Sequence, residues 1–188
     1  MAKADSLTRM DWILAATAAL GQGGVDSVRV EALARALKTS KGSFYWHFKD
    51  RPGLLEAVLA LWETEGTSDV IAMAANLATP EERLVAVLEE AVRLDLRGID
   101  VAGVEGALRG WAAQDPAIAE RIRIVDARRV SYLTEELGRI GQEPGMARRR
   151  AEALYLALLG FYGASRYGSA TADVAALRDF LDLAMAPP

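Results

Sequence analysis

The feature that most constrains this chain is its helix punctuation. "TPEE" at Thr79–Glu82 sets a capping threonine, a proline at the first helical position and a glutamate that completes a reciprocal capping pair. Asp115–Pro116 repeats the start signal, and Pro52 supplies another. Between these starts run stretches rich in Ala, Leu, Glu and Arg, all good helix formers. Apolar residues recur at helical spacing, as in Val30, Leu33, Ala34 and Leu37, whereas strand-like alternation is scarce. The expectation is an all-α chain of about nine helices: Thr8–Leu20, Val30–Leu37, Lys41–Trp46, Pro52–Asn76 with a restart, Thr79–Leu96, Val101–Gln114, Asp115–Gly138, Gly145–Tyr167 and Ala172–Met185. No internal repeat or low-complexity linker interrupts them.

A hydrophobic content of 52% and a mean hydropathy of +0.10 give enough apolar matter for a packed core and argue against disorder. No apolar run approaches the roughly 20 residues that span a bilayer, and "MAKADSLTRMDW" lacks the apolar stretch of a signal peptide. The absence of cysteine removes disulfides and thiolate chemistry and fits a reducing cytoplasm, the expected location. Charge is unevenly spread. Residues 1–52 hold eight Lys/Arg against five acids, while the remainder holds 14 against 21. A basic head on an acidic body suggests that the head meets a polyanion, the alternative being random surface charge.

The head contains "KTSKGSFYWHFKDR", Lys38 to Arg51, which crowds four aromatic rings and the only histidine among four cations. The helices flanking its start are joined by three or four residues, the spacing of a helix-turn-helix. Phe44 and Phe48, four apart, share a face that can lock the second helix inward. Tyr45 and Trp46 point elsewhere, either into a core or, in a short isolated helix, into solvent beside lysines. Ser40, Lys41 and Ser43 lie near the helix start, where free N–H groups favour a phosphate.

Gly23 to Leu59, "GGVDSVRVEALARALKTSKGSFYWHFKDRPGLLEAVL", closely resembles the N-terminal module of the tetracycline-repressor (TetR) family. The likeness is carried by Leu33–Ala34, Ser40, Gly42, the "FYWHF" run and Leu54–Leu55. It extends over about residues 8–60, with a further echo in Gly106–Ile122. The resemblance implies a helix-turn-helix DNA-binding domain over 1–51 and a helical ligand-binding and dimerisation domain over 52–188. It also implies a homodimeric transcription regulator on a palindromic DNA operator, released as a repressor by a small, largely apolar effector. The alternative on the same scaffold is an activator, or a module that binds a partner other than DNA. Carried over by motif position, Ser43 and Tyr45 would sit at the groove and Lys41 at base or phosphate. His47, Lys49, Arg51 and Arg29 would touch the backbone, and Trp46 would flank them. Two departures stand out: Lys38 occupies a turn position where glycine is usual, and Arg29 stands where a Ser/Thr cap is usual.

Catalysis is not expected. A serine triad would have to borrow His47, a lone histidine without cysteine makes a poor metal site, and no cofactor or metal is implied. Arg148–Arg150 and Glu89–Glu90 read as solvated helix faces. The helix around Leu154–Tyr162 is apolar on two faces. Leu154, Leu158 and Phe161, with Leu177 and Leu181 of the last helix, are therefore expected at a dimer interface, unless this helix is simply the centre of the monomer core. For an effector pocket the first candidates are Arg109, Trp111, Tyr155 and Tyr162, followed by Trp62, Met73 and Tyr132.

Overall fold

The computed structural model describes residues 7–93 and 95–187; the first six residues of the expected 1–51 domain, Leu94 and Pro188 lie outside the described residues. Among the described residues ten α-helices follow one another: α1 Arg9–Gly23, α2 Val30–Ala36, α3 Lys41–Tyr45, α4 Arg51–Glu63, α5 Asp69–Ala74, α6 Pro80–Ala91, α7 Val101–Ala112, α8 Pro116–Arg139, α9 Pro144–Ser165 and α10 Val174–Met185. The predicted caps form. Thr79 Oγ1 accepts from Glu82 N at 3.1 Å while the Glu82 carboxylate accepts from Thr79 N, and Asp115 caps α8 ahead of Pro116. Thr8 and Asp11 make a further capping box on α1.

The helix expected over Pro52–Asn76 with a restart is α4 and α5 joined by a π-helical turn, Thr64–Ser68. The wider turn is held from α8, where Arg129 donates from Nε to Thr67 Oγ1 at 2.9 Å and from Nη2 to the Gly66 carbonyl at 3.0 Å. Such insertions occur often at functional sites.

One expectation fails. The helix predicted to reach Leu96 stops at Ala91, and the chain folds back through a two-residue antiparallel ladder, β1 Asp95–Leu96 with β2 Ile99–Asp100. Arg97 and Gly98 take φ of 56° and 79°, the paired positive angles that a tight two-residue hairpin turn requires and a helix forbids. Leu88, Val92 and Leu96, four apart, carry the helical rhythm up to the turn that Arg97–Gly98 makes.

The hydrophobic core runs across the expected boundary at Arg51. Trp12 and Phe44 of the head belong to the same cluster as Leu54, Val58 and Trp62 of α4, Val104 and Leu108 of α7, and Ile118 and Val125 of α8. The crossing of α1 over α7 is close because glycines meet there: a Cβ on Gly103 would lie 2.8 Å from the Gly21 carbonyl oxygen. A second cluster joins α6, α8, α9 and α10.

Candidate nucleic-acid interface and buried cavity

The turn between α2 and α3 is a tight one. Thr39 N–H reaches back to the Ala34 carbonyl at 2.9 Å, and Lys38 adopts φ 53°, the left-handed conformation the resemblance anticipates. A non-glycine there costs about 1 kcal/mol. Ser40 then caps α3, accepting from Ser43 N at 3.3 Å. Arg29 stands at the cap of α2 with no side-chain bond to its N–H groups; its Nε donates instead to the Asp26 carbonyl at 3.0 Å.

Phe44 and Phe48 point inward and stack, with centroids 5.6 Å apart, while Trp12 meets Phe44 edge-on at 5.3 Å. This triplet of rings fastens the short α3 to α1, and Arg9 covers Phe48 at 4.7 Å. Tyr45 and Trp46 go the other way: Tyr45 is exposed and Trp46 is 89% exposed. Lys41, Lys49 and Arg29 are also exposed, and Ser43 and His47 half-buried. Lys41 is hydrogen-bonded to Glu31 of α2, whose carboxylate holds the ammonium above its ordinary range. At the surface such a pair is worth little and yields readily to a stronger anion.

Arg51 departs from expectation. Its guanidinium turns inward, Nε donating to the Val28 carbonyl at 2.6 Å and Nη2 to the Val25 carbonyl at 2.5 Å. These two carbonyls belong to the first residue and the C-cap of the 3₁₀ turn Val25–Ser27 between α1 and α2. Arg51 thus ties the first turn of α4 to the start of α2.

The body holds a buried polar network that joins four helices. Glu105 of α7 is 3% exposed. It accepts from Trp62 Nε1 at 2.9 Å, Arg129 Nη1 at 2.9 Å and Arg109 Nη2 at 3.3 Å. Arg109 also forks onto Asp126, both bonds 3.1 Å, and donates to Tyr155 Oη at 3.0 Å. Tyr155 donates to Asp126 at 2.6 Å. Two arginines face two carboxylates, so the network is neutral. Burial disfavours the charge on Arg129, yet Glu105 and Tyr155 hold its guanidinium above the ordinary range. Burial pushes the Tyr155 hydroxyl up to about 12, against the pull of both arginines. The Tyr162 hydroxyl, raised further by burial and by Glu105, donates to the last carbonyl of α6, Ala91, at 2.7 Å.

Beside this network lies a cavity of about 160 Å³. Its wall combines α4, the π turn and α5 with α6, α7, α8 and α9. Of the pocket candidates, Tyr155, Tyr162, Trp62 and Tyr132 line it. Arg109 stands behind it in the network, Trp111 is half-buried against the first core cluster, and Met73 is exposed. Glu105, Arg129 and Thr67 also line the cavity and were not anticipated. The available signal was Glu105 four residues before Arg109 on an otherwise apolar helix.

The residues expected at a dimer interface are corrected by the fold. Leu154, Phe161, Leu177 and Leu181 are all buried in the protomer's own core, and Leu158 is half-buried against it. They meet residues such as Leu84 of α6, Leu137 of α8 and Ala102 of α7, so the inward face of α9 was mistaken for the outward one. The large apolar residues that α9 and α10 leave exposed are Leu156 at 66% and Leu183 at 67%. The Arg148–Arg150 triplet divides: Arg148 pairs with Glu152 in solvent, and Arg150 donates to the Ala184 and Ala186 carbonyls at the end of α10. Glu89 binds Arg178 across α6 and α10. Among the described residues no group of three metal-ligating side chains occurs, and no helix is long and apolar enough to cross a membrane.

Residues 13–58, from α1 into α4, match the model of the bacterial regulatory proteins of the tetR family. Over this module the chain is similar to the TetR family. The whole fold agrees. A TetR transcriptional regulator from Legionella pneumophila superposes with a TM-score of 0.79 at 18% identity, covering 96% of this chain and 98% of its own. A transcriptional regulator from Rhodococcus sp. Rha1 gives 0.74 at 20% identity, covering 95% and 94%. A Saccharomonospora viridis protein of the same fold, solved in complex with choline, gives 0.77 at 20%, covering 93% of each chain. No curated protein matches the sequence significantly.

Proposed function

We propose that this chain is a TetR-family repressor that reads a palindromic DNA operator as a homodimer and lets go when a small apolar molecule fills its cavity. The observation that carries the DNA reading is the exposure of Tyr45 and Trp46 beside Lys41 and Lys49, on a helix whose other face is locked by Phe44 and Phe48. Large rings are rarely left in water on a short helix without a partner to cover them. Ser43 and Tyr45 are assigned to the groove. Lys41, His47, Lys49 and Arg29 are assigned to phosphates, with Ser40 and Trp46 flanking, while Arg51 keeps the module's shape. Two such helices set about 34 Å apart would read an inverted repeat.

Dimerisation is assigned to the outward face of α9 and α10, through Leu156 and Leu183, with Gly160 and Gly163 permitting close approach. Release is assigned to α4. Arg121 of α8 grips Glu56 and Glu63 along α4, and Arg129 grips the π turn that follows it. A ligand that prefers a different seat for that turn would shift α4 and, through Arg51, the start of α2. The choline held by the Saccharomonospora viridis protein supports a small-molecule effector in this domain. A cytoplasmic location goes with this reading.

Fluorescence anisotropy on DNA from upstream of the gene, beside scrambled DNA, tests the proposal. Specific binding should weaken as salt rises and disappear in Tyr45→Ala/Lys49→Ala with the fold intact. No preference over scrambled DNA, followed by an empty selection from random sequence, would sink it. Loss of the gene should raise expression from the bound promoter if the protein represses and lower it if it activates.

A further inference from the structure

Resting on the effector reading above, we infer that the cavity takes a compact, uncharged, hydrocarbon-rich molecule about the size of a substituted benzene ring, and refuses charged versions of the same ring. Size is the first ground. The volume of about 160 Å³ is close to the about 150 Å³ of an apolar protein cavity that accepts benzene. The wall supplies the matching surface, with Leu14, Leu61, Val70, Ile71, Val87 and Val104 contributing aliphatic carbon.

The second ground is that the charged and hydrogen-bonding groups of the wall are already in use. Among the described lining residues three are acids and three are bases, and each has a partner. Glu65 pairs with Arg97 at 3.1 Å, Glu90 with Arg93 at 3.2 Å, and Glu105 with Arg129 at 2.9 Å. The Trp62 N–H is held by Glu105, and the face of its ring by the Arg129 guanidinium, 5.1 Å from the centroid. That face is therefore closed to a ligand cation. Thr17 donates to the Ile13 carbonyl, Thr67 accepts from Arg129, Tyr155 donates to Asp126 and Tyr162 to Ala91. The Tyr132 hydroxyl has no partner. Burial, and then the Glu136 carboxylate, raise it above its ordinary value, so it offers a neutral hydroxyl near neutral pH. An ion arriving beside the buried Glu105–Arg129 pair would lose its water and find no free counter-charge, unless it broke that pair and stranded the displaced charge. The pairs of the exposed Arg93 and Arg97 are weaker, so Arg97 is where a variant can admit an anion. An uncharged ring with at most one hydroxyl or carbonyl meets no such penalty.

Calorimetry on the full chain near neutral pH, with benzyl alcohol, benzoate and benzylammonium as probes of one ring and three charges, tests this. Benzyl alcohol should bind at least about tenfold more tightly than either ion. Val87→Phe should abolish its binding while the thermal transition is kept, which places the site. Glu65→Gln frees Arg97 and should raise benzoate affinity relative to benzyl alcohol by several fold. Equal or tighter binding of an ion, or no binding of benzyl alcohol at millimolar concentration, overturns the inference. The effector reading fails separately: selective binding of benzyl alcohol with no weakening of operator DNA in the anisotropy assay would keep the ligand class and remove the regulatory role.

Discussion

The head and the body of this protein treat charge in opposite ways. In the head, Lys49 and Arg29 stand in solvent with Tyr45 and Trp46 beside them, and the fold does not lean on them. In the body, Glu105, Arg129, Arg109 and Asp126 are packed into one neutral network that the fold cannot lose. Binding to an outside polyanion needs unmatched charge at the surface. A cavity for an apolar guest needs matched charge in its walls. The contrast separates function from stability in the head and fuses them in the body.

The sharpest way to break the contrast is Glu105→Ala. It strands Arg129 and Arg109 beside an apolar cavity and should cost about 3–5 kcal/mol in a urea titration, with Trp62 losing its acceptor as well. A loss as small as that of a surface substitution would mean water already serves the network. Alkaline pH should find the same weakness. The folded Tyr155 hydroxyl sits near 12 against an ordinary 10.0. The folded state therefore holds the proton more tightly, and this stabilisation is full below the unfolded value and lost as pH rises toward about 12. At about 1.4 kcal/mol per unit, roughly 2–3 kcal/mol should go across that window. Tyr155→Phe should flatten the decline.

Within the head, Arg51 and Lys49 are two cations close in sequence and divided by role. Arg51→Ala should lose about 1–3 kcal/mol of stability, since the Val25 and Val28 carbonyls lose their donor. Lys49→Ala should change stability by less than about 0.5 kcal/mol. It should instead lower the slope of log affinity against log salt by about 1. Exchange of these two outcomes would reverse the assignment of Arg51. The smallest effect belongs to Lys38→Gly. Relief of the left-handed backbone, partly offset by glycine's greater freedom when unfolded, should raise the melting point by an amount equivalent to under about 1 kcal/mol.

The head was legible because its information is local. Phe44 and Phe48 declare their face by a spacing of four, and Lys38 its conformation by its place in the turn. The helix starts at Thr79 and Asp115 were legible for the same reason, as caps act over three residues. The body's network was not, since Trp62, Glu105, Asp126 and Tyr155 come from separate helices and meet only in the fold. The two sides of α9 were exchanged because both are apolar: Leu154 and Leu156 look alike until α6, α8 and α10 choose between them. The hairpin at Arg97–Gly98 was hidden by apolar residues that kept helical rhythm up to its edge.

The placement of the four tryptophans gives this protein its own optical instruments. Trp46 lies almost wholly in water, while Trp62 is sealed beside the cavity and Trp12 is deep in the core. Excitation at the red edge of the absorption band favours the hydrated indole of Trp46 over the half-buried Trp111 and would report chiefly the head. Within the blue-shifted emission of the buried rings, the part contributed by Trp62 would carry the report from the cavity, with Arg129 beside it as a built-in sensor of displacement. Occupancy of the two ends could then be followed in one unlabelled sample, by colour.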